Sequence, residues 1–427
     1  MISGNCLGID FGTSGARAIV INHEGEIQAR ISLSSLEVST TAWRTALFTL
    51  LQNIPISIRK GIQSIAINGT SSSVLICDSV GHPLDAPILY NDDRGQAVVN
   101  QVKAIAPAHH TVVSATSSLA KLLWWKQQRG QEYQTEMHVF FLHQADWLSF
   151  LLHGRLGISD YHNALKLGYD VEQLRYPDWL LNQSLPFQLP QVLAPGTPIA
   201  LVQPPIASQF GLPSDCVVCA GTTDSIAAFL ASGAQTPGEA VTSLGSTLVL
   251  KILSQTQIED ARYGIYSHRL GNLWLAGGAS NTGGAVLRQF FSDTDLQILS
   301  AQIQPNQPSP FIYYPLLKPG ERFPIHDANL QPCLEPRPAS DADFLHGLLE
   351  SMARIEAQGY QQLQTLGAPP LKQVYTAGGG AQNQTWTAIR ARLLQVPVCA
   401  SPQTEAAYGS AILARSGIVA PTDAKQP

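Results

Sequence analysis

The chain has 427 residues, more than one ordinary hydrophobic core accommodates, which predicts two domains. Its formal net charge of −5 lacks the basic footprint of a nucleic-acid binder, and no apolar stretch is long enough to span a bilayer as a helix. Charged residues make up only 13%, about half the usual share, so Gln, Ser, Thr and Asn must carry much of a soluble surface. The opening "MISGNCLGID" has no charged n-region and no signal-type apolar run. A cytoplasmic protein is therefore expected, or a stromal one if a transit peptide has been removed.

From the start, "CLGIDF", "ARAIVIN" and "IQARISL" read as three strands joined by the turns "GTSG" and "HEGE", an antiparallel meander. A helix at "AWRTALFTLLQNI" and a strand at "IQSIAIN" follow, the alternation of an α/β layer. "SLAKLLWWKQQ" and "HQADWLSFLLHG" read as amphipathic helices, and the proline-rich tract Pro186–Pro213 as connecting structure. "SDCVVCAGTTD" reads as a buried strand. Its Cys216 and Cys219, three apart, should point to opposite faces, which argues against a shared metal or a redox pair. After the helix "SIAAFLASGA", the segment "GEAVTSLGSTLVLKIL" repeats the strand, Gly-Ser-Thr turn, strand pattern of the start. That repetition suits either a duplicated lobe or two unrelated hairpins. A second proline-rich tract, Pro305–Pro338, precedes a long helix at "ASDADFLHGLLESMARIEAQGYQQLQTL". The domain boundary is placed at 231/232, giving domains 1–231 and 232–427, with the terminal helix 405–420 packing back on the first.

Five segments could carry chemistry. In "DFGTSGAR", Gly12 and Gly15 permit a tight turn whose N–H groups can cradle an anion, and Thr13 and Ser14 add hydroxyls. Asp10 would repel a phosphate directly but could hold Mg²⁺, which bridges to it. The same residues also suit a plain hairpin with an Asp at its edge. "SLGST", with Gly245, Ser246 and Thr247, offers a second turn of this kind. Asp224 opens a helix in "AGTTDSIAAFLA", where it is either an N-cap or a general base kept ionised by the helix dipole. In "YTAGGGAQNQTWTAIR", Gly379 and Gly380 allow close approach of a nucleotide. Asn383 offers an amide to a purine, and Trp386 either stacks on it or packs in the core. Ser71, Ser72, Asn91, Asp92 and Arg94, in "GTSSSV" and "ILYNDDRG", are hydroxyl-binding types or merely polar loops. A Walker-type phosphate loop and a dinucleotide-binding glycine fingerprint are both absent from the sequence.

Taken in order, these segments resemble the FGGY carbohydrate kinases over nearly the whole chain. "GIDFGTSGAR" is similar to the family's first phosphate motif, and "ILYNDDR" to its W-N-D-x-R segment, with Tyr90 in place of Trp. "HQADWLSFLLHGRLGISDYHNA", "AGTTDSIAAF", "SLGST", "KPGERFP" and "GGGAQNQTWTAIRARLLQVPV…EAAYGSAILA" match further family segments in sequence order.

The resemblance implies an α/β fold of two ribonuclease H-like (actin-like ATPase) domains with a nucleotide cleft between them. It implies ATP and Mg²⁺ as cofactors and a small-molecule sugar as partner. By the same resemblance Asp224 is the catalytic base, and Asp10 and Asp224 face the metal and the sugar. Thr13, Gly245, Ser246, Gly379, Gly380 and Asn383 carry over as nucleotide contacts, and Gly12, Ser14, Gly15, Thr247 and Trp386 are expected beside them from the residue reading above. Ser71, Ser72, Asn91, Asp92 and Arg94 contact the sugar.

The chain departs from the family in places. Ser71 and Ser72 stand where xylulose kinases usually have Met-His, and the Arg-Glu of glycerol kinases is missing. The chain is short, and no N-D-P…A-R-G run follows "GERFP". A small ketopentose is expected, D-ribulose ahead of D-xylulose, with pentitols behind. A different class, an actin-like or chaperone-like ATPase, shares the fold, and a non-catalytic sugar and ATP sensor would share the site.

Overall fold

Period-two alternation sets the first strand, β1 (Asn5–Gly12). Leu7, Ile9 and Phe11 point to one face and join Trp43, Leu47 and Leu50 of helix α1 (Thr40–Asn53) in a core. Cys6, Gly8 and Asp10 therefore occupy the opposite face. The computed structural model describes residues 4–13, 15–133 and 138–419, so Ser14 lies outside the described residues. The chain divides into two compact units, Met1–Ala231 with Glu405–Pro427, and Ser232–Thr404.

In the first unit, β2 (Gly15–Ile21) and β3 (Ile27–Ser34) follow β1 as an antiparallel meander. Strands β4 (Ile62–Gly69) and β5 (Val217–Thr223) then add in parallel on the other side of β1. An outer strand, Pro198–Leu201, completes a six-stranded sheet. Between β4 and β5 the chain builds helix α2 (Ser118–Arg129), helix α3 (Gln144–His153) and a small sheet of Val74–Cys77, Val139–His143 and Phe187–Gln188. This insertion has its own apolar core, with Val74, Leu122, Trp125 and Phe141. Helix α4 (Asp224–Ala231) leaves the end of β5.

The second unit repeats the order. Strands β6 (Glu239–Leu244), β7 (Leu248–Ser254) and β8 (Leu273–Ser280) form an antiparallel meander. Strands β9 (Gln373–Ala377) and β10 (Val398–Ala400) add in parallel beside β6. Both sheets thus read third, second, first, fourth, fifth in their main strands, each with one extra edge strand. The likeness of the two hairpins extends to two whole sheets, which favours the duplicated lobe. Helices α5 (Asp341–Thr365) and α6 (Gln384–Leu394) cover this sheet. They are pinned to it by a buried ion pair. Arg390 Nε and Nη2 reach the Glu356 carboxylate at 2.6 and 2.7 Å, while Thr242 and Thr376 bond to the same pair.

Three sequence expectations need adjustment or comment. The tract Pro186–Pro213 is not only connecting structure. It contains short strands and a helix, Pro204–Phe210, which prolines can start because the first-turn N–H groups need no helical partner. Cys216 packs on the α1 side of the sheet and Cys219 on the other, and burial pushes the Cys219 thiol up to about 12, so both are inert core thiols. Trp386 does not present its ring for stacking. Helix α6 begins after Asn383, which turns Trp386 inward among Leu244, Leu348 and Ile389, and it is 3% exposed. Among the described residues no helix is long and apolar enough to cross a membrane.

The terminal helix, Ala406–Val419, lies on the Gly8 and Asp10 face of the first sheet. Its small residues Ala407, Ala411 and Ala414 recur at helical spacing and bring the backbones into contact. A Cβ at Gly8 would sit 1.9 Å from the carbonyl oxygen of Ala407, so only glycine fits. Gly8→Val is expected to unfold the first unit at markedly lower urea concentration than wild type. Trp386→Ala is expected to cost about 3–5 kcal/mol in the second unit. Its nucleotide affinity, measured by calorimetry on the folded fraction, should stay within about threefold of wild type; a tenfold loss would put Trp386 back among the nucleotide contacts.

Candidate active site

Parallel register brings three strand ends together. Phe11 of β1 and Thr223 of β5 both pair with Gly69 of β4. Asp10, the loop Thr70–Ser73 and Asp224 therefore gather at one edge, the carboxyl end where α/β sheets bind ligands.

Asp10 is 4% exposed. Its Oδ2 accepts from Arg17 Nη1 at 3.4 Å, and Arg17 is its cross-strand partner in β2. Its Oδ1 is buried without a protein partner. Burial pushes its pKa up to about 6; the nearby Asp224 charge adds to this and Arg17 opposes it. Asp10 and Asp224 thus lie at the ends of strands on one sheet edge, where the charge of Asp224 is felt by Asp10. Asp224 is half-buried at the first turn of α4, and its Oδ1 accepts the Ser225 amide at 2.7 Å. Thr13 is exposed beyond β1 and donates to the Tyr90 hydroxyl at 3.4 Å.

The polar loops meet here as well. Ser72 takes a left-handed backbone, φ +68, and its hydroxyl is buried with no partner. The Ser73 hydroxyl accepts from the Tyr90 amide at 3.0 Å and lies 2.5 Å from Thr70 Oγ1, and Gln144 Oε1 receives the Thr70 amide. Asp92 accepts two bonds from Arg94, at 2.9 and 2.7 Å, and that guanidinium holds the carboxyl below its usual range. Arg94 itself lies over the Trp124 ring, 4.7 Å from its centroid. Asn91 is exposed beside them, and Ser71 is half-buried. In the first unit, Asp10 and Asp224 thus share one strand edge, the Ser71–Ser72 loop is tied to the segment carrying Asn91, Asp92 and Arg94 through Ser73 and Tyr90, and Tyr90 reaches Thr13 beyond β1.

In the second unit, the turn after β6 rests on the chain that follows β8. Gly245 and Ser246 carbonyls accept amides of Gly284 and Ala285, at 2.9 and 3.1 Å. Arg288 Nη2 donates to Ser246 Oγ at 3.1 Å and is exposed. This places a cation beside a turn whose amides and hydroxyls suit an anion, with Thr247 next in the turn. The Gly378–Gly380 segment after β9 is split in its environment. A Cβ at Gly379 would meet open space, whereas one at Gly380 would lie 2.7 Å from Leu244 and 2.8 Å from Trp386. Asn383 caps α6, taking the Trp386 amide on Oδ1 at 2.9 Å and donating Nδ2 to Ser300 Oγ at 2.8 Å. One amide hydrogen is left for a ligand, fewer than the sequence suggested.

Sequence reasoning missed Arg17 and Arg288. Arg17 was findable from hairpin register, which sets it opposite Asp10. Arg288 had no local signal.

Residues 5–231 match the model of the N-terminal domain, and residues 240–417 that of the C-terminal domain, of the FGGY family of carbohydrate kinases. The chain is 22% identical to the xylulose kinase of Staphylococcus xylosus over 96% of this chain and 90% of that one. It is 24% identical to the L-fuculokinase of Escherichia coli K12, over 95% and 90%. The structure superposes on the xylulose kinase of Rhodospirillum rubrum with TM-score 0.81 and 22% identity, covering 98% of this chain and 90% of that one. It superposes on the ADP-containing glycerol kinase of Plasmodium falciparum with TM-score 0.82 and 17% identity, covering 97% and 90%. Under this likeness each sheet is a copy of the actin-like ATPase core. The chain belongs to the FGGY family of carbohydrate kinases and is an ATP-dependent sugar kinase.

Proposed function

We propose that the protein transfers the γ-phosphoryl group of MgATP to a primary hydroxyl of a small open-chain ketopentose, with Asp224 as the base. The observation that carries this is the pairing of a half-buried Asp224 with a buried Asp10 at the same strand ends. Asp224 takes the proton of the attacking hydroxyl. It sits in the first turn of α4, at the positive end of the helix dipole. A modest base suffices, because phosphoryl transfer depends mainly on positioning and charge stabilisation.

Asp10 Oδ1, buried and unpartnered, fits a hard divalent cation or one of its waters. When bound, Mg²⁺ would offset phosphate charge. The rest is the work of this chain. In the first unit, Gly12 and Thr13 suit a phosphate oxygen. In the second unit taken by itself, the Gly245–Thr247 turn with Arg288 suits phosphate, and Gly379 and Asn383 leave room for a nucleoside. The rigid Asp92–Arg94 pair, with Asn91, Ser71 and the buried Ser72 hydroxyl, orients the sugar. Binding of the sugar at these loops excludes water from the hydroxyl that attacks.

D-Ribulose is the first substrate to try, since Ser71 and Ser72 replace the Met-His of xylulose kinases. D-Xylulose is the second reading, and the resemblance to proteins named xylulose kinase supports it. ADP release should be measured with D-ribulose, D-xylulose, pentitols, L-fuculose and gluconate. Strong stimulation by a ketopentose is expected. Stimulation by none, with steady sugar-free hydrolysis, would sink the proposal, and ATP binding without any turnover would favour a sensor.

Asp224→Asn is expected to lower kcat by at least about 10³-fold while ATP affinity survives; a near-normal kcat would remove Asp224 as base. Asp10 gives a pH test. Its pKa is higher folded than unfolded, so its contribution to stability is present at low pH and is lost as pH rises through about 6. At pH 8 the buried carboxylate therefore costs stability, by about 3 kcal/mol at most. Asp10→Asn should be at least as stable as wild type at pH 8 in urea unfolding, yet lose kcat by about 100-fold. A variant that is both unstable and active would contradict the assignment.

A further inference from the structure

Lys121 is 0% exposed, in the first turn of α2, and no role in the site above requires it. Its Nζ donates to the Ser72 carbonyl at 2.8 Å and to the Leu89 carbonyl at 2.6 Å. Ser72 belongs to the loop after β4, and Leu89 leads directly into Tyr90, Asn91, Asp92 and Arg94. One ammonium group therefore ties together the two loops assigned above to the sugar.

The arrangement has an energetic cost. Burial drives the Lys121 pKa down to about 7, with the Asp92 charge opposing the shift and Lys166 and Arg94 adding to it. A cation placed there without partners would be strongly unfavourable. Methionine would fill much of the same space without that cost. What methionine could not do is donate to two carbonyls at once. The Ser72 carbonyl belongs to a residue with φ +68, a conformation that a side-chain-bearing residue rarely holds unaided. The Ser73 hydroxyl to Tyr90 amide bond, at 3.0 Å, is the neighbouring tie between the same loops. Trp124, one turn along from Lys121, carries the Arg94 guanidinium on its ring. One face of α2 thus reaches both the backbone of the loops and the Asp92–Arg94 pair.

We infer that Lys121 is a positioning residue for the sugar, holding the 70–73 loop and the 89–94 loop at the spacing the substrate needs. This rests on the proposed sugar site. Lys121 touches no reacting atom, so it acts on sugar binding rather than on the phosphoryl step. Its removal should leave the nucleotide turns of the second unit untouched.

The test compares wild type with Lys121→Met in two measurements. The first is amide hydrogen exchange over residues 70–73 and 89–94, followed by mass spectrometry. The second is steady-state kinetics with the best sugar from the panel. Exchange in both segments is expected to quicken at least about tenfold, because each loses a tie. KM for the sugar should rise at least about tenfold, with kcat within about threefold and KM for ATP unchanged. Lys121→Gln, which keeps a donor, should fall between the two proteins, and it serves as the variant if the methionine form does not fold. Unchanged exchange in a folded variant, or a loss in kcat with sugar KM unmoved, would overturn the inference. If wild type phosphorylates no sugar, the exchange result still decides the loop clamp, while the sugar-kinase assignment of the loops fails separately.

Discussion

An ionisable carboxylate held inside a protein costs free energy unless something pairs with it, and Asp10 is held that way. Strand alternation forces it to the face of β1 that the terminal helix covers, and Arg17 meets only one of its two oxygens. The other oxygen is left buried and unsatisfied. Much of the first unit is arranged around that cost. The hairpin supplies Arg17, the terminal helix packs closely through Ala407, Ala411 and Ala414, and the end of β5 leads into a second carboxylate. Local costs of this kind concentrate at functional sites, which is where the proposed function puts Asp10.

The loops proposed to hold the sugar show a related logic with the opposite charge. Ser72 holds an uncommon backbone, Lys121 is buried among apolar neighbours, and Asp92 and Arg94 lock each other. Each feature is unfavourable or indifferent by itself. Together they give a set of donors and acceptors whose positions are fixed before substrate arrives, which is the condition for effective catalysis by orientation. The second unit invests its buried charge differently. Its Arg390–Glu356 pair joins two helices to two strands and serves register rather than chemistry.

The motif segments were legible because their chemistry is local. A turn built from Gly, Thr and Ser announces itself in "DFGTSGAR" and "SLGST", and an Asp opening a helix announces itself in "TTDSIAAF". The apolar strands and long helices were legible from periodicity. Trp386 was not: its two fates, stacking or packing, depend on where α6 starts, and the Asn383 cap that decides this is a matter of one residue. Asn383 was over-read for the same reason, since its amide is largely spent on that cap and on Ser300. Arg288 approaches Ser246 from 42 positions away, and no local pattern carries such a contact.

By itself, the sequence determined the elements, the turns and the family they resemble, because each depends on residues within a few positions of one another. It left open whether the two Gly-rich hairpins are related. Only the tertiary structure decided that both hairpins open sheets of one strand order, that Asp10 neighbours Asp224, and that Lys121 joins two loops separated by 17 positions between Ser72 and Leu89. These depend on which strands lie side by side and which helix face turns inward. Such choices are settled by burial and packing summed over a whole unit, and no short segment contains them.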